Sequence, residues 1–206
     1  MKIVSYNING IRAAVRKGLL GWIKLESPDI ICFQEIKANT DQFNTEDFEK
    51  LGYYCYWYSA QKKGYSGVAI LSKNKPLNVV YGCGVEKFDS EGRILKVVFE
   101  NISVLSCYFP SGTSGDVRQV FKIDFLNFFY DFIRLEKSSN NLLVCGDYNI
   151  CHKPIDIHDP IRNKNSSGFL PEERAWMTKW FDEGGFVDSF RVQQSELEKY
   201  SWWSYR

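Results

Sequence analysis

Four short apolar runs, each ending abruptly in polar residues, constrain this 206-residue chain more than any other feature. Lys2-Ile3-Val4-Ser5-Tyr6 ends in Asn7-Ile8-Asn9-Gly10, and Asp29-Ile30-Ile31-Cys32-Phe33 in Gln34-Glu35-Ile36-Lys37. Ile102-Ser103-Val104-Leu105-Ser106-Cys107 ends in Tyr108-Phe109-Pro110, and Leu142-Leu143-Val144-Cys145 in Gly146-Asp147-Tyr148-Asn149. Short apolar runs bounded by turn residues read as buried strands. Period-2 alternation puts Asp147 and Asn149 on the same side, just past the strand end. A carboxylate there can align or deprotonate a water, and an amide can hold an oxyanion. The same residue pair is also ordinary turn chemistry. Polar groups gathered at several strand ends are the usual way such folds build a site, which favours the functional reading.

Between these runs lie helical patterns. Residues Arg12 to Glu26 read as one amphipathic helix with Val15, Leu19, Trp22 and Ile23 on one face, stopped by Pro28. Tyr53 to Ala60 and Gly67 to Ser72 read as strands around a Lys-Lys-Gly turn, with two more at Val79 to Gly82 and Arg93 to Phe99. Asp116 to Lys137 is the longest predicted helix. Its Val120, Phe121, Phe125, Phe128 and Phe132 are assigned to the core. Ser138 to Asn141 reads as the loop into the Asp147 strand. Lys153 to Phe169 reads as a long ordered loop, and Pro171 opens a further helix through Phe181. No repeat or linker interrupts the chain, so a single domain over 1–206 is expected. Strands and helices alternate in a way that fits an α/β fold with two mainly antiparallel or mixed sheets covered by helices.

Composition narrows the function classes. Hydrophobic residues make up 44% of the chain, enough for a packed core. The net charge of +1 gives no general affinity for nucleic acid, so a DNA-binding surface would have to be a local patch. The six cysteines show no CxxC spacing, and Cys32, Cys107 and Cys145 lie inside apolar strands as reduced hydrophobes. With no signal peptide and no membrane-length apolar run, a cytoplasmic protein is expected.

Taken in order, seven motifs resemble those of the exonuclease III-type AP endonucleases, in the bacterial pattern. They are Asn7-Ile8-Asn9-Gly10, Gln34-Glu35-Ile36-Lys37, Tyr65-Ser66-Gly67-Val68-Ala69, Tyr108-Phe109-Pro110, Gly146-Asp147-Tyr148-Asn149, Ser167-Gly168-Phe169 with Pro171-Glu172-Glu173-Arg174, and Asp188-Ser189-Phe190-Arg191. The resemblance spans essentially the whole chain and implies the four-layer α/β sandwich of the DNase I-like superfamily. It implies a Mg²⁺-dependent DNA repair nuclease, with Mn²⁺ as an alternative metal, cutting 5′ to abasic sites and acting on 3′ ends as a 3′–5′ exonuclease. It implies a monomer acting on double-stranded DNA. Family members continue past Trp202-Trp203-Ser204-Tyr205-Arg206 with further strands and a Ser-Asp-His-Pro motif. The expectation is therefore a C-terminally incomplete chain that lacks the family's His, its Asp partner and one metal-site Asp, and that is nearly inactive as written.

The motifs assign roles residue by residue. Glu35 is the metal ligand, oriented or assisted through water by Asn7, because a hard cation needs only one or two carboxylates. Asp147 positions or deprotonates the attacking water, Asn149 holds a phosphate oxygen, and Tyr108 offers a phenol to the same phosphate. Asn9, Lys37, Tyr65, Gly67, Arg118 and Asn163 align with the DNA groove. Ser111 stands where many relatives have Asn, and Trp202 aligns with the wall of the abasic-sugar pocket. His152 and His158 are assigned to loop hydrogen bonds. Two other readings remain open: a phosphodiesterase of the same fold acting on another phosphate substrate, and a DNA-binding fragment without activity.

Overall fold

The computed structural model describes residues 1–137 and 141–201. It divides into two compact units, Met1–Phe109 with Leu135–Tyr148, and Pro110–Arg134 with Asn149–Arg206.

The first unit is built on two four-stranded sheets. One contains β1 (Ile3–Asn7), β2 (Ile30–Gln34), β3 (Tyr54–Tyr58) and β4 (Val68–Ser72), in the order β1-β2-β4-β3. The other contains β5 (Asn78–Tyr81), β6 (Ile94–Val98), β7 (Ser103–Tyr108) and β8 (Leu142–Asp147), in sequential order. Each sheet is mixed. β1 runs parallel to β2, and β7 runs parallel to β8, while all other pairings are antiparallel. Alternation sorts each strand into two faces. Ile30, Cys32, Val68 and Ile70 of the first sheet pack with Leu95, Val97 and Val104 of the second. Ile31, Phe33, Ala69 and Leu71 face the other way, against Ile11, Leu19, Ile23 and Phe48. Those last residues come from α1 (Ile11–Arg16), α2 (Leu19–Glu26) and α3 (Glu46–Glu49). A short α4 (Glu86–Asp89) precedes β6.

The helix expected over Arg12 to Glu26 is two helices. Gly18 lies between them with φ of 96°, a left-handed conformation that a continuous α-helix cannot contain. Ser27, also left-handed, closes α2 before Pro28.

A polar tie sits near the end of the inter-sheet layer. Gln34 is 1% exposed, and its amide donates to the Ser106 hydroxyl at 3.1 Å and to the Cys32 carbonyl at 3.2 Å. Ser106 in turn donates to the Phe33 carbonyl at 3.1 Å. These bonds join β2 to β7 across the two sheets and satisfy groups whose burial would otherwise be costly.

The second unit carries α5 (Asp116–Lys137, whose last turn belongs to the first unit), α6 (Pro171–Asp182) and α7 (Ser189–Gln193). The α5 bounds agree with the sequence expectation, but its buried face is Lys122, Phe125, Leu126, Phe129, Tyr130 and Ile133. Val120, assigned to the core, is 70% exposed, and Phe121, Phe128 and Phe132 are only half-buried. Phenylalanines lie on more than one side of this helix, so their spacing alone does not fix which side is inward. Phe129, Trp176 and Phe186 each stack on Trp180, and the Trp176 indole donates to the Leu126 carbonyl at 2.9 Å. The Lys122 ammonium and Glu173 carboxylate pair at 2.6 Å, both fully buried. Glu173 also accepts from the backbone of Gly168 and Leu170, so the charge is matched by several donors. The loop from Lys153 to Phe169 is ordered by a 3₁₀ turn at Pro154–Asp156 and by Arg191, which pairs with Asp156 at 2.6 Å and donates to the Ile155 carbonyl. Among the described residues no helix is long and apolar enough to cross a membrane.

Gly146 pairs with Cys107 across the parallel β7–β8 ladder, and a Cβ there would lie 2.3 Å from the Cys107 carbonyl oxygen. Gly146→Ala is therefore expected to push β8 from β7 and cost about 1–3 kcal/mol, the range for overpacking. Denaturant unfolding checks this, and an unchanged midpoint would contradict it.

Candidate active site

The C-terminal ends of β1, β2, β7 and β8 carry the site. On three of these strands the alternating set that includes the inter-sheet residues ends in a side chain able to hydrogen-bond at the site. Asn7 follows Ile3 and Ser5, Tyr108 follows Val104 and Ser106, and Asp147 follows Leu143 and Cys145. Parallel register sets Asn7 beside Gln34 and Tyr108 beside Asp147. The same alternation that builds the core therefore delivers these side chains to one end of it.

Asn7 is the meeting point. Its Nδ2 donates to Glu35 Oε1 at 2.8 Å and to Asp147 Oδ2 at 2.8 Å. Its Oδ1 accepts from the Asn9 backbone N–H at 3.0 Å, which fixes the amide's orientation. Two carboxylates distant in sequence are thus held by the two hydrogens of one amide.

Glu35 reaches Asn7 because its backbone leaves the strand geometry. Its φ is 55°, as is unusual for a non-glycine residue, and Lys37 has φ of 50°. Strict alternation would have sent Glu35 to the helix side with Phe33. The Lys37 ammonium pairs with Glu35 Oε2 at 2.5 Å and donates to Asn9 Oδ1 at 2.6 Å. The Tyr108 phenol also acts on the Glu35 carboxylate. Burial alone would raise the Glu35 pKa. Hydrogen bonds from Asn7 and Lys37, with the Lys37 charge and the Tyr108 phenol, outweigh it and hold the carboxyl below its usual value. Burial also drives the Tyr108 phenol well above its usual value, reinforced by the negative charges of Glu35 and Asp147 and opposed by Arg93.

Tyr65 and Gly67 belong to a turn that supports this segment. The Ser66 and Gly67 carbonyls accept from the backbone N–H groups of Lys37 and Ile36 at 2.9 and 3.2 Å. A Cβ on Gly67 would stand 2.7 Å from the Ile36 side chain, and its φ is 85°, so glycine is required there.

The sequence-assigned residues fall into two groups. Asn7, Asn9, Glu35, Lys37, Tyr65, Gly67, Tyr108 and Asp147 belong to the first unit, while Ser111, Arg118, Asn149 and Asn163 belong to the second. Trp202 lies outside the described residues. Asn149 does not extend the strand: β8 ends at Asp147, and Asn149 has φ of 51°. The alternation invoked to put its side chain beside Asp147 therefore stops two residues early. The Asn149 carbonyl accepts from Lys122 at 2.8 Å. The Ser111 and Thr113 hydroxyls share a hydrogen bond, and the Arg118 guanidinium lies over the Phe121 ring. The Asn163 amide donates to the carbonyls of His158 and Asp159, closing a turn. His152 shares a hydrogen bond with Thr178 at 2.9 Å.

Sequence reading missed Arg93, Lys122 and Glu173 as organisers. Each is a charged residue buried to within 1% of full coverage, and only the fold reveals that. The Asp188-to-Arg191 motif has a structural role in this unit. Asp188 caps α7 by accepting from Phe190 and Arg191 at 3.0 Å, and Arg191 clamps the long loop.

Comparison with known proteins decides the family. A sequence model of the endonuclease/exonuclease/phosphatase family matches residues 4–206. The chain belongs to this family. It is 43% identical to an exodeoxyribonuclease of Bacillus subtilis over 208 residues, covering all of this chain and 81% of that protein. An AP endonuclease structure from Archaeoglobus fulgidus matches the whole chain and 79% of its own with a TM-score of 0.89 at 30% identity. A Neisseria 3′ phosphatase bound to product DNA hairpin matches the whole chain and 79% of its own with a TM-score of 0.91 at 26% identity. Within the endonuclease/exonuclease/phosphatase family the chain is of the exonuclease III and AP endonuclease type, and its two mixed sheets flanked by helices are the fold of those relatives.

The depressed Glu35 pKa sets a pH dependence. A group whose folded pKa lies below its unfolded value contributes stability above the unfolded value, here 4.5, and loses it as pH falls through the folded value. Glu35→Gln is expected to lower the unfolding temperature near neutral pH, with the gap from wild type closing as pH falls below 4.5 and through the lowered folded value. Thermal unfolding across pH measures it, and a gap that persists or widens in acid would contradict the assignment.

Proposed function

We propose that this chain is a DNA repair phosphodiesterase that uses a divalent cation, Mg²⁺ or Mn²⁺, to cut the backbone 5′ to abasic sites and to act at 3′ ends. The observation that carries this reading is the Asn7 amide joined to both Glu35 and Asp147 at 2.8 Å. Family membership and the names of the relatives support the substrate class.

The donor set fits a hard cation. Among the described residues no group of three or more His, Cys, Asp or Glu side chains forms a metal cage. A cation that keeps much of its water needs only one or two carboxylates, and Glu35 would supply one, oriented by the Asn7 amide hydrogen it accepts. When bound, the cation would supply charge stabilisation to the phosphate. Lys37 bonds the Glu35 oxygen opposite Asn7, so it already balances that carboxylate.

The chain's own residues do the remaining work. Asp147, held by Asn7, accepts a hydrogen bond from the attacking water and takes its proton as the water oxygen bonds phosphorus and the P–O3′ bond breaks, the leaving 3′ oxygen gaining a proton from solvent. Tyr108, its phenol held protonated by burial and by two carboxylates, donates to a phosphate oxygen. By resemblance, Asn149 holds a second phosphate oxygen. Asn9, Lys37, Tyr65, Gly67, Ser111, Arg118, Asn163 and Trp202 then meet DNA, and cytoplasmic location and a monomeric state complete the reading.

A second reading is removal of a 3′-phosphate from DNA, since one structural relative at 26% identity is named a 3′ phosphatase. The two share the carboxylates and differ in the leaving group.

Assayed in a form extended at the C-terminus as family members are, Asp147→Asn should lower single-turnover cleavage of an abasic duplex by at least about 10²-fold, the lower range for a positioned acid or base. Duplex affinity should persist or rise, because one negative charge near phosphate is removed. A panel of abasic, 3′-phosphate and undamaged duplexes with Mg²⁺ checks both readings. Wild-type turnover in the variant would refute the role of Asp147, and cleavage confined to 3′-phosphates would favour the second reading.

A further inference from the structure

Arg93 stands in the turn Glu91-Gly92-Arg93 that leads into β6, and it is 1% exposed. A guanidinium is costly to bury unless its donors are matched. Nε and Nη2 approach Glu91 Oε2 at 2.6 and 2.5 Å. Nη1 donates to the Tyr108 carbonyl at 2.7 Å, and Nη2 donates to the Tyr65 hydroxyl at 3.2 Å. The guanidinium carbon also lies over the Tyr108 ring, 5.1 Å from its centroid. The backbone joins in, with the Tyr108 N–H donating to the Arg93 carbonyl at 2.9 Å.

The turn that presents this side chain leaves no latitude. A Cβ at Gly92 would come within 2.7–2.9 Å of backbone atoms of Tyr58, Ser59 and Ala60. Arg93 is thus launched from a fixed backbone position into a fixed set of partners.

Those partners lead to Glu35 by two routes. The Tyr108 phenol and the Glu35 carboxylate act on each other electrostatically. Tyr65 opens the turn whose Ser66 and Gly67 carbonyls hold the backbone of Lys37 and Ile36, immediately after Glu35. We propose that Arg93 is a positioning residue that clamps Tyr65 and Tyr108 together and so sets the Glu35 carboxylate from both its side-chain and its backbone support. The proposal deepens the nuclease reading and rests on Glu35 being part of the catalytic centre. It also assigns the Tyr65 turn a second role beyond DNA contact, since load on that turn reaches Tyr108 through one guanidinium. The clamp depends on a planar fork that bonds in several directions while lying over a ring, which a lysine ammonium cannot reproduce.

Arg93→Lys is therefore the decisive variant, because it keeps the charge and removes the fork. Tyrosine ring NMR of the DNA-free protein reads the clamp directly. Tyr65→Phe should shift the Tyr108 ring resonances in the Arg93 protein and leave them in place in Arg93→Lys, with exposed Tyr54 unmoved in both. In single-turnover cleavage of an abasic duplex by the same extended form, Arg93→Lys should lose at least about tenfold in rate, with affinity changed less than about threefold, as misplacement of a reacting group predicts. Tyr108 resonances indifferent to Tyr65→Phe, or equally responsive without the fork, would overturn the clamp. A wild-type cleavage rate in Arg93→Lys would overturn its part in positioning. If Arg93→Lys fails to fold, Tyr65→Phe alone decides, through the presence or absence of the Tyr108 shift in the DNA-free protein. If the wild-type protein leaves abasic DNA uncut while the Tyr65–Tyr108 coupling persists, the nuclease reading falls and the clamp stands.

Discussion

The two hydrogens of the Asn7 amide hold the site together. Glu35 and Asp147 come from different sheets and lie 112 residues apart in sequence, the difference between 35 and 147. Two carboxylates at this separation repel, and a shared donor between them offsets that repulsion while fixing their spacing. The donor itself is fixed, because its carbonyl oxygen is engaged by the Asn9 backbone. The arrangement exists only if β1, β2, β7 and β8 end at the same level. The Gln34–Ser106 tie and the close Gly146–Cys107 approach secure that level. Core packing and catalytic geometry are therefore one problem in this unit.

Strain is concentrated in the same place. Eight non-glycine residues have positive φ among the described residues, and five of them, Asn9, Glu35, Lys37, Ser66 and Asn149, lie in the strand-end and turn motifs. Each such conformation costs on the order of 1–3 kcal/mol and persists only where neighbours over-determine it. Around Glu35 those neighbours are Asn7, Lys37, Tyr108 and the Ser66–Gly67 carbonyls. A loop with this many constraints presents a preorganised carboxylate, which is what electrostatic catalysis requires.

Much of this was legible in the chain. The strands show because apolar runs stop sharply at Asn, Gln and Asp, and α5 shows because its period is long and unbroken. Asn7, Glu35 and Asp147 show because polar residues recur at several strand ends, although any one of them alone is ordinary turn chemistry. The failures share one cause: a local period cannot report a change of backbone conformation or of phase. Gly18 splits a helix whose side-chain pattern runs straight through it. Asn149 leaves the strand before alternation can place it, and Val120 sits on the exposed side of α5, away from its buried face. Arg93 and Lys122 read as surface charges until the fold encloses them, because their partners Tyr65, Tyr108, Glu173 and Asn149 are remote in sequence.

The central claim is that the Asn7-bridged carboxylates form the divalent-cation end of a phosphodiesterase site. Calorimetric titration of Mg²⁺ into the DNA-free protein and into Glu35→Gln tests it most directly. The expected result is a saturable site in the wild-type protein whose affinity falls by at least about tenfold when the carboxylate becomes an amide, since hard cations depend on carboxylate charge. Equal Mg²⁺ affinity in the two proteins would contradict the claim.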